Sequence, residues 1–289
     1  PGRVVCEQRG AYEVLMEDGD LIQATLPGGE RWSNPLEKPA VGDWLQVERF
    51  EGLALVRHRY ARRSRLVRKA AGRHTTPQVV GANLDVVFLV SSLNQELNLR
   101  RLERYLATIW SSGAQPVVVL TKADLCDDIS RHAAAVASVT GDVPVHIVSA
   151  VADQNRDALL THLGPGRTVG LVGSSGVGKS TLANWLCGDE RQAVQSIREH
   201  DAHGRHTTTQ RNLLRLPGEL GLLMDTPGMR ELGVWDVEEG IERVFADIEA
   251  LTHDCRFRDC THTSEPGCNV LAALDAGLID PDRWHSYQK

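Results

Sequence analysis

Gly173-Ser174-Ser175-Gly176-Val177-Gly178-Lys179-Ser180 spells G-x-x-x-x-G-K-S, a spacing whose residue types suit the cradling of a polyphosphate. The glycines let backbone N–H groups turn toward an anion, and a helix starting at the loop adds the positive end of its dipole. Lys179 is placed to reach β- and γ-oxygens and to stabilise the charge that develops there, while the Ser180 hydroxyl suits Mg²⁺. The context fits the motif: an apolar run from Thr168 to Val172 precedes the loop, Thr181 is a further nucleotide-binding candidate at its end, and Leu182, Trp185 and Leu186 open a helical pattern after it. A phosphate loop alone implies a nucleotide and leaves its base open.

Other stretches narrow the choice. Thr121-Lys122-Ala123-Asp124 follows the apolar run Pro116 to Leu120; a carboxylate there can accept from guanine N1–H and N2–H₂, and the Lys122 stem can stack on the base. Ser149-Ala150, after Val145 to Val148, offers a backbone N–H to guanine O6. Asp225-Thr226-Pro227-Gly228 follows Gly221 to Met224; Asp225 can hold Mg²⁺ through water, and the Gly228 N–H can bond a γ-phosphate. Between these, Gly204-Arg205-His206-Thr207-Thr208-Thr209 supplies hydroxyls for Mg²⁺; Thr207 and Thr208 are the candidates, and one ligand suffices.

A separate constellation, Cys255-x4-Cys260-x-His262-x5-Cys268, offers three thiolates and an imidazole within 14 residues, a donor set for one structural, tetrahedral Zn²⁺. Such close spacing favours metal over disulfides, with buried or paired cysteines as the alternative and His253 as a substitute for His262. Cys6, Cys126 and Cys187 stand alone and read as small apolar side chains.

The elements that must position these groups change rhythm along the chain. Up to about Tyr60, short strands (Ala11 to Met16, Leu21 to Leu26, Asp43 to Phe50, Leu53 to Arg59) separated by turn signals predict a small all-β barrel, with an oligonucleotide-binding (OB) type as one candidate and an SH3-like one as another. Beyond Gly81, apolar strands at Leu84 to Val90, Pro116 to Leu120, Val145 to Val148 and Thr168 to Val172 alternate with helical patterns at Leu99 to Trp110, Ile129 to Val139 and Asp157 to Leu163. That is the pattern of an α/β domain with a parallel sheet covered on both faces. After about Val237 the chain reads as helical around the Cys/His cluster.

Composition sets the outer bounds. In 289 residues, 42% hydrophobic and 24% charged content excludes a largely disordered chain. No apolar run approaches the roughly 18 residues of a membrane helix, and Pro1 to Gly10 carries no secretion-signal pattern, so a cytoplasmic protein without a membrane partner is expected. The net charge of −6 argues against a nucleic-acid partner, yet it is unevenly spread. Residues 1–81 carry 13 Lys+Arg against 10 Asp+Glu, and Arg57 to Arg73 holds eight basic residues and no acid. That block is expected to face RNA, with part of it a solvated linker.

The order of the motifs is the most specific feature. GTPases ordinarily run from the phosphate loop through the switch threonine and DxxG to the base reader and Ser-Ala, whereas here the base reader and Ser-Ala come first. The chain resembles a circularly permuted GTPase, its old ends joined through Asn155 to Arg167 and the switch after Gly228 leading into the Cys/His region.

Barrel, permuted GTPase and Cys3His cluster together resemble the bacterial small-ribosomal-subunit biogenesis GTPases (the RsgA/YjeQ family). Arg62 to Leu66, Arg68 to Gly72, Asn83-Leu84-Asp85 and Asn98 to Leu106 also match that family. The resemblance implies an OB-type barrel over residues 1–66, the permuted GTPase over 67–236 and a helical zinc-binding domain over 237–289, which in the family often continues in helix. It further implies Mg²⁺-dependent GTP hydrolysis to GDP stimulated by the 30S subunit, contact with 16S rRNA, a role in late 30S maturation, and action as a monomer. Thr121 stands where many GTPases have Asn, implying a weaker hold on the base or the phosphate loop. Met229 replaces a water-orienting Gln, and by resemblance His206 is the catalytic candidate in its place. Other readings are an RNA-binding module with a GTP-controlled latch, a P-loop ATPase or kinase, and a permuted GTPase of another ribosomal particle.

Overall fold

The structure, a computed structural model, describes residues 1–8, 10–28, 32–50, 53–69, 76–93, 97–188, 212–225 and 238–288. Alternating apolar residues at the start of the chain build five strands: β1 (Gly2–Gln8), β2 (Ala11–Met16), β3 (Leu21–Thr25), β4 (Trp44–Phe50) and β5 (Leu53–Arg59). They run in the order β1-β2-β3-β5-β4, and pairing of β1 with β4 closes the barrel. All barrel pairings are antiparallel except β3 with β5, and the small closed β-barrel expected from the sequence is found with five strands. Each strand sends one fully buried side chain inward: Val4, Val14, Ala24, Leu45 and Val56.

The strand pair β6 (Arg65–Lys69) and β7 (Pro77–Ala82) forms a separate antiparallel hairpin, and the boundary expected between 66 and 67 falls inside β6. This revises the reading of the basic block. Arg57 and Arg59 belong to β5, Arg65 and Arg68 belong to β6, and residues 60–64 between them form no strand; residues 70–73 of the block lie outside the described residues. Arg62 does not face outward: its guanidinium forks onto the Asp43 carboxylate at 2.8 and 2.6 Å and also donates to the carbonyls of Leu36 and Lys38.

Next comes a parallel sheet of β8 (Val86–Ser92), β9 (Gln115–Thr121), β10 (Val145–Ile147), β11 (Thr168–Val172) and β13 (Leu222–Asp225), ordered β10-β9-β8-β11-β13, with β12 (Asn212–Arg215) antiparallel beside β13. The strands bury both faces. Val87, Leu89, Val118 and Leu120 pack with Leu102, Leu106 and Ile109 of α1 (Leu99–Ser111) and Val136 of α2 (Ile129–Thr140). Phe88, Val90, Val117 and Val119 pack on the other side with Leu159 of α3 (Arg156–Leu160) and Leu182 and Leu186 of α4 (Lys179–Cys187).

Arg3, buried on β1, ties barrel to sheet by donating to Thr168 Oγ1 at 2.8 Å and to the carbonyls of Gly42 and Asn83. Asn83 in turn donates to the Gly42 carbonyl and accepts from the Arg63 N–H, so the Asn83 to Asp85 segment is a joint between units.

The C-terminal part holds α5 (Glu238–Val244), α6 (Ala246–His253), α7 (Asn269–Asp275) and α8 (Pro281–Tyr287) around Phe245, Ile248, Ala273 and Ile279. It docks on α1. A side chain at Gly240 would lie 1.9 Å from the Ala107 carbonyl, so only glycine permits this helix crossing. Glu103 of α1, with no exposed side-chain surface, is matched by Arg100 and by Arg283 of α8, and Arg100 also reaches Asp280. Among the described residues no helix is long and apolar enough to cross a membrane.

Asp43→Ala is expected to lower folding stability by about 3–5 kcal/mol, because it strands the Arg62 guanidinium in a site where its side chain is only 6% exposed. Chemical denaturation of wild type and variant measures the difference. A loss below about 1 kcal/mol would mean that the pair is not what holds the β4–β5 base to the following segment.

Candidate functional site

All the parallel strands end on one edge of the sheet, and the chemistry-bearing loops leave from there. Gly173 turns the chain out of β11 at φ 150°, where a side chain would lie 2.1 Å from the Val90 carbonyl of β8. The loop closes at Gly178, which starts α4, so the N–H groups of the helix's first turn face the loop opening. Lys179 Nζ bends back to donate to the Gly173 carbonyl at 2.7 Å and the Ser174 carbonyl at 2.5 Å. Ser175, Gly176, Ser180 and Thr181 are exposed at the mouth, and Val177 is buried beneath it.

Thr121 ends β9 with its hydroxyl 2.5 Å from the Val177 carbonyl and 3.2 Å from that of Ser91. A hydroxyl at this position therefore reaches the phosphate loop. Lys122 takes a left-handed conformation (φ 61°) and starts the 3-10 turn Ala123–Leu125 that carries Asp124. One Asp124 oxygen accepts from the Ser149 hydroxyl at 2.5 Å, which brings together the two segments expected to read a base. Ser149 and Gln154 pair through their backbones, so Ala150 sits in a closed loop after β10.

Two contributors escaped the sequence reading. Trp185 of α4 donates its indole N–H to Asp153 at 2.7 Å, with the Arg156 guanidinium over its ring, so the Ser149–Ala150 loop is pinned to the phosphate-loop helix. Arg101 of α1 donates to the Ser174 hydroxyl at 2.7 Å. Neither contact has a short-range pattern that could have revealed it. Asp225 closes β13 at the same edge. His206, Thr207, Thr208 and Gly228 lie outside the described residues.

The Cys/His cluster is a second centre. Zn–S bonds of about 2.3 Å and Zn–N bonds of about 2.0–2.1 Å in a tetrahedron put sulfurs about 3.8 Å apart and sulfur about 3.5 Å from nitrogen. The Cys255 and Cys268 sulfurs are 3.8 Å apart, and His262 Nδ1 lies 3.5 and 3.4 Å from them. With Cys260 included, the four donor atoms lie within 4.8 Å of one another, a set and spacing that fit zinc. His262, not His253, supplies the nitrogen.

Burial opposes ionisation of Cys255, but hydrogen bonds from the backbone N–H groups of Asn269 and Val270 and from the Cys268 and Cys260 thiols together bring that thiol below its ordinary pKa. Glu265 shapes the loop between ligands. Its carboxylate accepts from the Thr261 hydroxyl and from the N–H groups of Ser264, Thr261 and Thr263, which hold it far below the usual carboxylate range. The Trp284 and His262 rings pack edge to face with centroids 5.6 Å apart.

The family described as RsgA GTPase matches residues 59–235. A small ribosomal subunit biogenesis GTPase RsgA from Methanosarcina acetivorans is 44% identical over all of this chain and 78% of its own length. Its namesake from Streptomyces avermitilis is 46% identical with the same coverage. Of solved structures, YjeQ from Thermotoga maritima superposes with a TM-score of 0.68 at 26% identity, covering 99% of this chain and 95% of that one. YloQ, described as a circularly permuted GTPase, gives 0.65 at 26% identity over 99% and 91%.

If the cluster holds a structural ion, its chelation is expected to unprotect the backbone amides of α7 and α8 in hydrogen exchange while leaving β2 and β8 protected, since the cluster closes a module whose own apolar core is small. Unchanged protection of α7 after chelation, with metal loss verified by elemental analysis, would contradict a structural ion.

Proposed function

The chain belongs to the RsgA GTPase family, and from that premise we propose that it hydrolyses GTP on the small ribosomal subunit, stimulated by that subunit, to assist its late maturation. The observation that supports this reading most is the Thr121 hydroxyl at 2.5 Å from the Val177 carbonyl. It joins the base-reading segment to the phosphate loop, as a site for a whole guanine nucleotide requires.

In this reading Asp124 selects guanine through N1–H and N2–H₂, Lys122 stacks on the base, and the Ala150 N–H meets O6. Residues 173–181 wrap the phosphates. On triphosphate binding Lys179 leaves the Gly173 and Ser174 carbonyls for the β- and γ-oxygens, where its charge stabilises the developing negative charge. Ser180, Asp225 and either Thr207 or Thr208 would hold Mg²⁺, which supplies charge neutralisation between the β- and γ-phosphates. Gly228 would sense the γ-phosphate, and His206 would orient water where Met229 cannot.

Residues 226–237 join β13 to α5, so in this reading the switch after Gly228 leads straight into the C-terminal module and ties it to the nucleotide state. The divisions near 66 and 236, a zinc ion on Cys255, Cys260, His262 and Cys268, contact of barrel and metal module with 16S rRNA, a cytoplasmic location and a monomeric state all belong to the same proposal.

Turnover of GTP is expected to rise when 30S subunits are added and to be indifferent to 50S subunits; equal rates with and without 30S would count against the ribosomal part. Asp124→Asn is expected to cut GTP turnover by about tenfold or more while raising turnover of xanthosine triphosphate, whose C2 carbonyl can accept from the new amide. A variant that keeps its preference for GTP would remove Asp124 from base selection.

A further inference from the structure

α1 lies against the face of the sheet opposite α4, yet its first turn reaches the phosphate loop. Asn98 caps α1 by accepting from the Arg101 N–H, and Arg101 Nη1 then donates to Ser174 Oγ at 2.7 Å. The same Ser174 accepts Lys179 Nζ on its carbonyl. Two cations thus converge on one residue, one on its side chain and one on its backbone, at the end of the loop from which the lysine must depart when phosphates arrive.

The support behind Arg101 is rigid. Leu102, Leu106 and Ile109 anchor α1 on the sheet, and Glu103, two residues on from Arg101, is fully buried between Arg100 and Arg283. The guanidinium is a planar, charge-bearing donor, so this contact is a charge-assisted strut.

We propose that Arg101 is a positioning residue for GTP hydrolysis: by holding the Ser174 hydroxyl it fixes the phosphate loop around Lys179 and sets the lysine's path to the γ-phosphate. The proposal rests on the GTPase reading of the site and adds a residue from outside the motif. Loss of the strut lets Ser174 and its carbonyl shift, which misplaces Lys179 in the transition state more than it weakens the grip of α4 on the diphosphate.

The test is a double-mutant cycle read by steady-state kinetics and by fluorescent GDP binding. Arg101→Ala and Ser174→Ala are each expected to lower kcat about tenfold, the scale of one charge-assisted hydrogen bond, with KM for GTP and GDP affinity within about threefold of wild type. The double variant should be no slower than the slower single, and Arg101→Lys should recover part of the loss. Arg101→Ala with wild-type kcat, a double variant whose losses multiply, or an Arg101→Ala protein that no longer binds GDP would each overturn the proposal. A wild-type chain that binds neither GDP nor GTP would sink the GTPase reading and this proposal together, whereas normal wild-type turnover with an unaffected Arg101→Ala sinks the proposal alone.

Discussion

Parallel strands deliver their carboxyl ends to one edge of a sheet, and every candidate nucleotide-binding segment here depends on that constraint. β9 and β11 are separated by β8, so the ends of the two strands stand roughly 10 Å apart at the usual strand spacing. The Thr121 hydroxyl reaching the Val177 carbonyl spans this gap and sets the distance from base reader to phosphate loop. Chain order does not enter this geometry. The β10 edge connects back through α3 to the central strand β11, and the rotated order of motifs arrives at one contiguous edge. A permuted sequence can keep its site because neighbours in a sheet are chosen by pairing, not by succession.

The second dependence is on α1. A carboxylate with no exposed surface is costly unless its charge is met, and Glu103 is met from within its own helix by Arg100 and from α8 by Arg283. Arg283 also holds Asp247 and the Val244 carbonyl and lies over the Phe245 ring, so one side chain gathers α5, α6 and α8 onto α1. Placed this way, the metal-cluster module cannot move far without disturbing the helix whose first turn touches the phosphate loop. Arg3 and Asn83 do the corresponding work for the barrel, donating to carbonyls and a hydroxyl at the opposite end of the sheet.

What could be read from sequence follows from how local each signal is. The strands of the nucleotide sheet were legible because both faces are buried and their apolar runs are unbroken; Thr168–Val172 is found as read. The phosphate loop and the Cys/His spacing were legible because their partners lie within a few residues. β1 was not singled out, since Arg3 is buried toward Thr168 and a bulge between Val4 and Cys6 breaks the alternation. The hairpin β6–β7 was hidden by its arginines, and the burial of Arg62 by the distance in sequence to Asp43. Arg101, Asp153 and Trp185 act through contacts 32 to 73 residues apart, which no short window can show.

A site built between two anchors, in a chain that runs from β13 on to the module docked on α1, makes a demand on binding as well as on turnover under the proposed function. Occupancy of the γ-phosphate position should change how the protein grips its ribosomal partner. The most direct measurement is the affinity of the wild-type chain for purified 30S subunits at fixed salt, once saturated with a non-hydrolysable GTP analogue and once with GDP. Tighter binding with the analogue by about tenfold or more is the result expected of a nucleotide-controlled grip; equal affinity in the two states would contradict it.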